Sequence, residues 1–398
     1  MSTFPGATPV RIARVIARLN IGGPAIQAIT VTKALRPRGF QTTLIRGREG
    51  PAEGNMNALA DSLEVTPMLV DSMRRDPGRQ DLRALWSLIV LLRRERPAVV
   101  HTHAAKAGTL GRVATLLAFP LPGGRPALVH TYHGHSLNGY FSSRTTKVYA
   151  AIERALGRVT DVLIAVSEQV ADELAGFRVA PAERFTVVPP GLDLRAFTID
   201  PDERLRRRSA LRAQLGVADD TRLVTLVARL VAIKRVDRFL AIAQRMAGTD
   251  QRLRFLIVGD GELGPSLRRS AAARALGEDR VTWTGFRDDI ADICFASDVI
   301  VLTSDAEGTP LCLIEAQAAG TPVVCTRVGG AASVVRDGVT GFVVERDDEA
   351  GFAASVLRAL HDPAMAAAAR DGAAAVAVKY SLPRLTDDLE RIYRKLVP

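Results

Sequence analysis

The sequence lacks the features that would assign it to several large classes. Three cysteines occur in 398 residues, Cys294, Cys312 and Cys325, and none has the CxxC spacing of a redox or metal motif. That argues against a disulfide framework and for a reducing compartment. Met1 to Pro9 shows no basic start followed by an apolar stretch, so no secretory signal is expected. The most apolar helix-like run, Leu85 to Leu92, is far short of the roughly 20 residues that span a bilayer. The expectation is a soluble cytoplasmic protein, at most peripheral on the inner membrane face. Residues 101–150 hold no acidic residue, and no internal repeat or low-complexity linker is visible.

What is present is basic charge, unevenly placed. Residues 1–200 carry 25 Lys and Arg against 16 Asp and Glu, while residues 201–398 carry 28 against 27. A basic first half attracts an anionic partner: a phosphorylated substrate, an anionic membrane surface or nucleic acid. The charged stretch 200–216 reads as an entry helix whose Arg cluster forms a solvated face.

The chain is too long for one ordinary core, so two domains are expected. Short apolar β-type runs alternate with helical patterns. In the first half they are 11–19, 41–47, 97–103, 127–133, 161–167 and 184–190. In the second they are 222–230, 254–260, 280–285, 298–304, 322–330 and 341–345. Runs apolar on both faces, with helical crossovers, predict α/β architecture with parallel sheets covered on both sides. Pro189, Pro190 and Gly191 interrupt the pattern between the two series. The boundaries read as 1–190, 191–378 and a last helix, 379–398, crossing back to the first domain. The Ala-rich segment 350–377 reads as one or two helices.

The stretch "EGTPLCLIEAQAAGTP" (307–322) places Glu307 and Glu315 eight positions apart. It follows the strand "DVIVLTS", and ligands of open α/β sheets sit beyond the carboxyl ends of strands. Thr309 is read as the helix cap and Pro310 as its first-turn residue. The helix N-terminus then points at a ligand site. Glu307 precedes the helix and Glu315 lies inside it, so they are not assumed to flank one bond as a glycosidase pair would. Arg229 and Lys234, at the end of the domain's first strand and in the loop after it, suit a diphosphate. "VGDGELG" (258–264) matches G-x-G-x-x-G, but no acidic strand-end residue follows at dinucleotide spacing. Five histidines fall at 101, 103, 130, 133 and 135, with no carboxylate or thiol beside them for a metal site.

As a set, these motifs resemble the retaining glycosyltransferases of family 4, also called group 1, with a GT-B fold. The carriers are "GGPAIQA" (22–28), "AVSEQVADEL" (165–174), "VPPGLD" (188–193), "ARLVAIKRVD" (228–237), "VGDGEL" (258–263), "WTGFRDDI" (283–290), "EGTPLCLIEAQAAGTPVV" (307–324) and "RVGGAASVVRDGVTGFVV" (327–344). The resemblance implies two Rossmann-like domains facing across a cleft, the first binding the acceptor and the second a nucleotide sugar. It implies that Arg229 and Lys234 hold the donor diphosphate and that Glu315 binds ribose hydroxyls. Glu307 and the backbone of Gly308, Thr309, Pro310 and Leu311 would hold the transferred sugar and phosphate. Gly285, Phe286 and Arg287 would lie against the base, and Gly22 and Gly23 would approach the diphosphate. The histidine that the family places near the donor sugar would be His133, with His135 as the rival. His103, Lys106 and His135 are acceptor-side candidates. Two positions depart from the family: Ser333 stands where Glu is common, and Pro190 where Asn is.

The resulting expectation is a metal-independent, cofactor-independent transferase of a sugar, UDP-linked, to a hydroxyl acceptor in cell-surface polysaccharide or glycoconjugate synthesis. The alternatives are a GT-B nucleotide-sugar 2-epimerase, a dinucleotide oxidoreductase and a nucleic-acid-binding protein.

Overall fold

A computed structural model describes residues 8–50, 53–121, 123–134 and 143–397, with only the backbone of 143–145. The chain divides into two compact units, the first holding residues up to Leu192 and again from Ser381, the second Asp193–Tyr380.

Among the described residues the first unit contains seven strands: β1 (Val10–Ile16), β2 (Phe40–Arg46), β3 (Met68–Leu69), β4 (Val99–His103), β5 (Ala127–Tyr132), β6 (Val162–Ala165) and β7 (Phe185–Val187). They form one parallel sheet in the order β3-β2-β1-β4-β5-β6-β7. The edge strand β3 was not expected from the sequence. Two residues are too few to show an alternating or apolar pattern.

The second unit contains β8 (Arg222–Val227), β9 (Leu253–Val258), β10 (Val281–Gly285), β11 (Val299–Leu302), β12 (Val323–Thr326) and β13 (Gly341–Val344). Their order is β10-β9-β8-β11-β12-β13, again all parallel. Each sheet reverses its winding once, between β1 and β4 in one unit and between β8 and β11 in the other. Such a switch point leaves a crevice at the carboxyl ends of the two strands, because their crossover helices run to opposite faces.

The last helix, Leu382–Leu396, belongs to the first unit. Leu385, Leu389 and Tyr393 pack among Ile12, Leu35, Phe40, Val99 and Val129. Burying each such side chain contributes about 1.5–3 kcal/mol. Arg384 donates to the carbonyls of Pro189 and Pro190 at 2.8 and 2.7 Å, satisfying backbone acceptors that the prolines leave without a regular ladder. The Ala-rich segment forms two helices, Glu349–His361 and Pro363–Lys379, divided by Asp362, whose side chain caps the second.

The Arg cluster on the helix Pro201–Gln214 corrects the sequence expectation of a solvated face. Arg212 is buried and reaches the carbonyls of Ala218 and Thr221, both at 2.7 Å. Arg208 pairs with Asp298 at 2.7 Å, and Arg207 pairs with Asp292. Asp298 also accepts from the backbone N–H of Leu223 at the start of β8. The arginines therefore anchor the helix to the sheet, using carboxylates some 90 residues away in sequence.

Candidate active site

The switch point of the second sheet gathers the polar residues singled out in the sequence. Past β8 the chain passes Arg229, makes a 3-10 turn over Ala232–Lys234, and turns at Arg235 with φ +49°. That left-handed conformation is unusual for a side chain larger than Gly. Ion pairs hold it: Arg235 bonds Asp237 at 2.9 Å and Asp305 at 3.1 Å. Arg238, buried, pairs with the same Asp305 at 2.8 Å and donates to Thr303 O. Thr303 Oγ1 in turn donates to the carbonyls of Lys234 and Arg235. The loops after β8 and β11 are thus tied together, which fixes Lys234 beside Glu307.

Lys234 Nζ donates to Glu307 Oε1 at 2.5 Å, and Ser304 Oγ donates to the same oxygen at 2.6 Å. Burial alone would lower the Lys234 pKa. The Glu307 charge and hydrogen bond outweigh it, so the net shift is upward and the ammonium is retained. Arg229 lies close enough to oppose that shift, and no carboxylate pairs with it among the described residues. Gly329 brings the loop after β12 against Glu307. A Cβ there would lie 1.7 Å from Glu307 O, and its φ is +45°. Gly330 N then donates to Gly308 O at 2.5 Å.

The helix after this loop spans Leu311–Ala318, with Pro310 as its N-cap residue and no side-chain cap. The expected Thr309 cap is therefore corrected by one residue. Pro310, at φ −72° and ψ 118°, is extended and sets the helix start after itself. Its first-turn N–H groups have no intrahelical acceptor and carry the positive end of the helix dipole.

Glu315 lies more than a turn inside that helix and has no hydrogen-bond or ion-pair partner among the described residues. Burial pushes its carboxyl up to about 8, so it is mostly protonated at neutral pH. Neighbouring Cys312 is pushed up to about 12, chiefly by burial and against the pull of Lys234.

The G-x-G-x-x-G match has a structural explanation. A Cβ on Gly259 would lie 2.0 Å from Ala228 O, and one on Gly261 would lie 2.6 Å from Leu230 O. The glycines let the loop after β9 press against the segment that carries Arg229. Gly285, at φ +70°, pairs with Gly259. Phe286 is exposed beside it, and Arg287 is paired with Asp289.

In the first unit, Gly22 caps the helix Gly23–Leu35, which has no acidic residue in its first turn. His101, His103 and His130 are all buried, while His133 is half-buried at the end of β5. His103 Nε2 lies 3.1 Å from Arg14 Nη1 and its Nδ1 lies 2.9 Å from His133 Nε2. With both ring nitrogens engaged and 2% exposure, His103 is withdrawn from direct contact with an acceptor, which corrects that expectation. Lys106 pairs with Asp81 at 2.7 Å and donates to Asp76 O, so its charge is already matched. His135 lies outside the described residues.

Sequence reasoning missed Ser304, the Arg235–Asp305–Arg238 brace, Arg14 and Tyr393. Ser304 carried a usable signal, since it lies three residues before Glu307 in a strand-end loop. The others depend on partners distant in sequence.

Two doubly wound units of this topology, with a cationic, carboxylate-bearing helix N-terminus at a switch point, are the parts of a GT-B-type fold. The family model described as glycosyltransferase family 4 matches residues 21–196, and glycosyl transferases group 1 matches residues 221–362. A D-inositol 3-phosphate glycosyltransferase from Thermobispora bispora is 33% identical over 320 residues, covering 74% of this chain and 72% of its own. The chain belongs to this glycosyltransferase family.

A UDP-Gal:alpha-D-GlcNAc-diphosphoundecaprenol alpha-1,3-galactosyltransferase from Escherichia coli is 28% identical over 393 residues, covering 98% of this chain and 97% of its own. Among solved structures, Anabaena HepE in complex with UDP and glucose superposes with a TM-score of 0.80 at 21% identity, covering 97% of this chain and all of its own. The relatives are transferases, and they give no support to the epimerase alternative.

Proposed function

We propose that the second unit holds a nucleotide-sugar donor, UDP-linked, and that the enzyme transfers the sugar to a hydroxyl with retention of anomeric configuration. The observation that carries this is the Lys234–Glu307 pair in front of a helix N-terminus with no side-chain cap, with Glu315, unpaired among the described residues, further in. Arg229, Lys234 and the backbone of Gly308 to Leu311 would neutralise the departing diphosphate, the main electrostatic task of such a reaction. Glu307 would bind the transferred sugar, and Glu315 the ribose hydroxyls. Gly285, Phe286 and Arg287 would flank the base. With the leaving group's charge met by these residues, no metal and no cofactor enters the reading. The acceptor hydroxyl attacks on the face the diphosphate leaves, and a departing phosphate oxygen takes its proton. In the first unit, His133 and the Gly22–Gly23 helix start would present donors to the substrates.

The acceptor in this reading is a glycan or a lipid-linked sugar phosphate, and the enzyme works at an anionic membrane surface. The helix Gln80–Glu95 supports the second part. Leu82, Trp86 and Val90 repeat every four residues on one face and are 72%, 65% and 51% exposed. Leu117 and Leu121 are exposed near its neighbouring helix, Ala105–Ala118. Arg79, Arg83, Arg93 and Arg94 are exposed on or beside the helix, and no exposed acidic residue lies within it. An apolar stripe flanked by arginines matches a bilayer interface of anionic lipid. No helix among the described residues is long and apolar enough to cross a membrane.

A thermal-shift panel of UDP-, GDP- and ADP-sugars, run with and without a chelator, tests the donor assignment. UDP-sugars should raise Tm with the chelator present. A shift from another nucleotide alone, or one lost on chelation, would overturn it.

A further inference from the structure

Arg14 sits in the middle of β1, fully buried, and no carboxylate pairs with it among the described residues. Among the described residues of this unit the other fully buried arginine, Arg112, is neutralised by Glu153 at 2.7 Å. Arg14 instead reaches His103 Nε2 at 3.1 Å and Tyr393 Oη at 2.9 Å, and its Nε has no partner. A buried cation without an anion is costly, so its hydrogen bonds are the part of the arrangement to explain.

Those bonds determine where the protons lie. A guanidinium only donates. His103 Nε2 must therefore accept, and the proton of neutral His103 is on Nδ1. That Nδ1–H faces His133 Nε2 at 2.9 Å, so His133 accepts there and carries its own proton on Nδ1. On the other side, Tyr393 accepts from Arg14 and lies 2.5 Å from His101 Nδ1. His101 Nε2 lies 2.7 Å from Thr131 Oγ1, so both of its ring nitrogens meet hydroxyls that can donate or accept. The rings of His101, His103 and His133 are stacked, with successive centroids 4.3 and 5.1 Å apart. Burial, with Arg14 adding to it, holds His101 and His103 well below the usual histidine range and His133 down to about 4. All three rings are neutral at pH 7, as the proton assignment requires.

We propose that Arg14 is a positioning residue that acts through His103 to fix His133 as the Nδ1–H tautomer, making His133 a hydrogen-bond donor to an electron-rich substrate oxygen and removing it as a general base. Its Nε2 lone pair is occupied by His103, and its Nδ1 already carries a proton. The buried charge of Arg14 polarises the chain of rings and strengthens the terminal donor. A sugar hydroxyl or a phosphate oxygen is the ligand this group fits. The inference rests on the reading of His133 as substrate-facing, whereas the proton assignment itself does not.

The test is long-range proton–nitrogen NMR of the full chain labelled with 15N-histidine, at pH 7. His133 and His103 should each carry the proton on Nδ1. Arg14→Met should shift His133 toward the Nε2–H form and lower kcat about tenfold, the worth of roughly one hydrogen bond at the transition state. Arg14→Lys, which retains a charged donor, should restore part of both. An Nε2–H His133 in the wild-type protein overturns the proposal without any variant needing to fold. So does an Arg14→Met enzyme whose His133 tautomer and kcat are unchanged. A fully active His133→Ala enzyme with the tautomers as assigned would instead remove the substrate-facing reading.

Discussion

Lys234 Nζ donates to Glu307 Oε1 at 2.5 Å, so the two residues assigned to opposite parts of one donor molecule bind each other in the free protein. Each is thereby stored in place without a ligand. When a diphosphate arrives, the lysine gains a second anion, and Glu307 keeps Ser304 as a donor. Lys234→Ala and Glu307→Ala should each lower kcat/KM at least about a hundredfold, the scale of losing one transition-state electrostatic contact. The double variant should lose far less than the product of the two, because they act as a pair. Steady-state kinetics of all three proteins measures this coupling. Additive losses would refute it.

Glu315 predicts a proton signature. Its carboxyl is raised from the ordinary value of 4.5 to about 8 by burial alone. Ribose hydroxyls donating to it would favour the carboxylate and lower that value. Donor binding at pH 7 should therefore release a proton, seen as a buffer-dependent enthalpy in titration calorimetry. Glu315→Gln should bind without release.

The same shift has a consequence for the unliganded protein. A group whose folded pKa is raised leaves stability highest below its unfolded pKa, and that stability is lost as pH climbs toward the folded value. Tm of the free enzyme should fall between about pH 4.5 and pH 8 from this group. The Glu315→Gln variant should show a flatter profile over that range, measured by scanning calorimetry.

Gly329 predicts how tightly the Glu307 loop is held. A Cβ at this position meets a backbone carbonyl at 1.7 Å and also sits at positive φ, so the loop must move. Gly329→Ala should cost about 1–3 kcal/mol of stability and weaken donor binding together. Chemical denaturation and donor titration on the same variant check both.

The exposed stripe on Gln80–Glu95 predicts membrane binding separable from chemistry. Trp86→Ala and Arg83→Glu should reduce sedimentation with anionic liposomes, the charge reversal more strongly at low salt. Turnover of a water-soluble acceptor should be unchanged. Equal binding to neutral and anionic vesicles would contradict the assignment.

The sequence showed most of the fold because buried parallel strands are short apolar runs, and twelve of them stood out between helical stretches. The two-residue β3 did not, having no room for a pattern. The residues proposed for the donor site stood out because they cluster in strand-end loops and in one helix start. Lys234 and Glu307 could be named, but not their pairing, which depends on how Arg235, Asp305 and Thr303 stitch two loops together. Arg14 was invisible. In "RIARVIARL" it looks like the solvent-facing member of an apolar strand, and its partners lie 89 and 379 residues away. Likewise, the arginines of 200–216 looked solvated because their carboxylates, Asp292 and Asp298, are supplied by a later helix and the residue just before a strand.

The central claim is retaining transfer from a UDP-sugar held by Lys234 and Glu307. Proton NMR of the anomeric signal during turnover of UDP-α-linked sugars, with acceptor and chelator present, tests it most directly. An α-linked product formed by the wild-type enzyme and not by Lys234→Ala is the predicted result. A β-linked product, or an unchanged rate in Lys234→Ala, would contradict it.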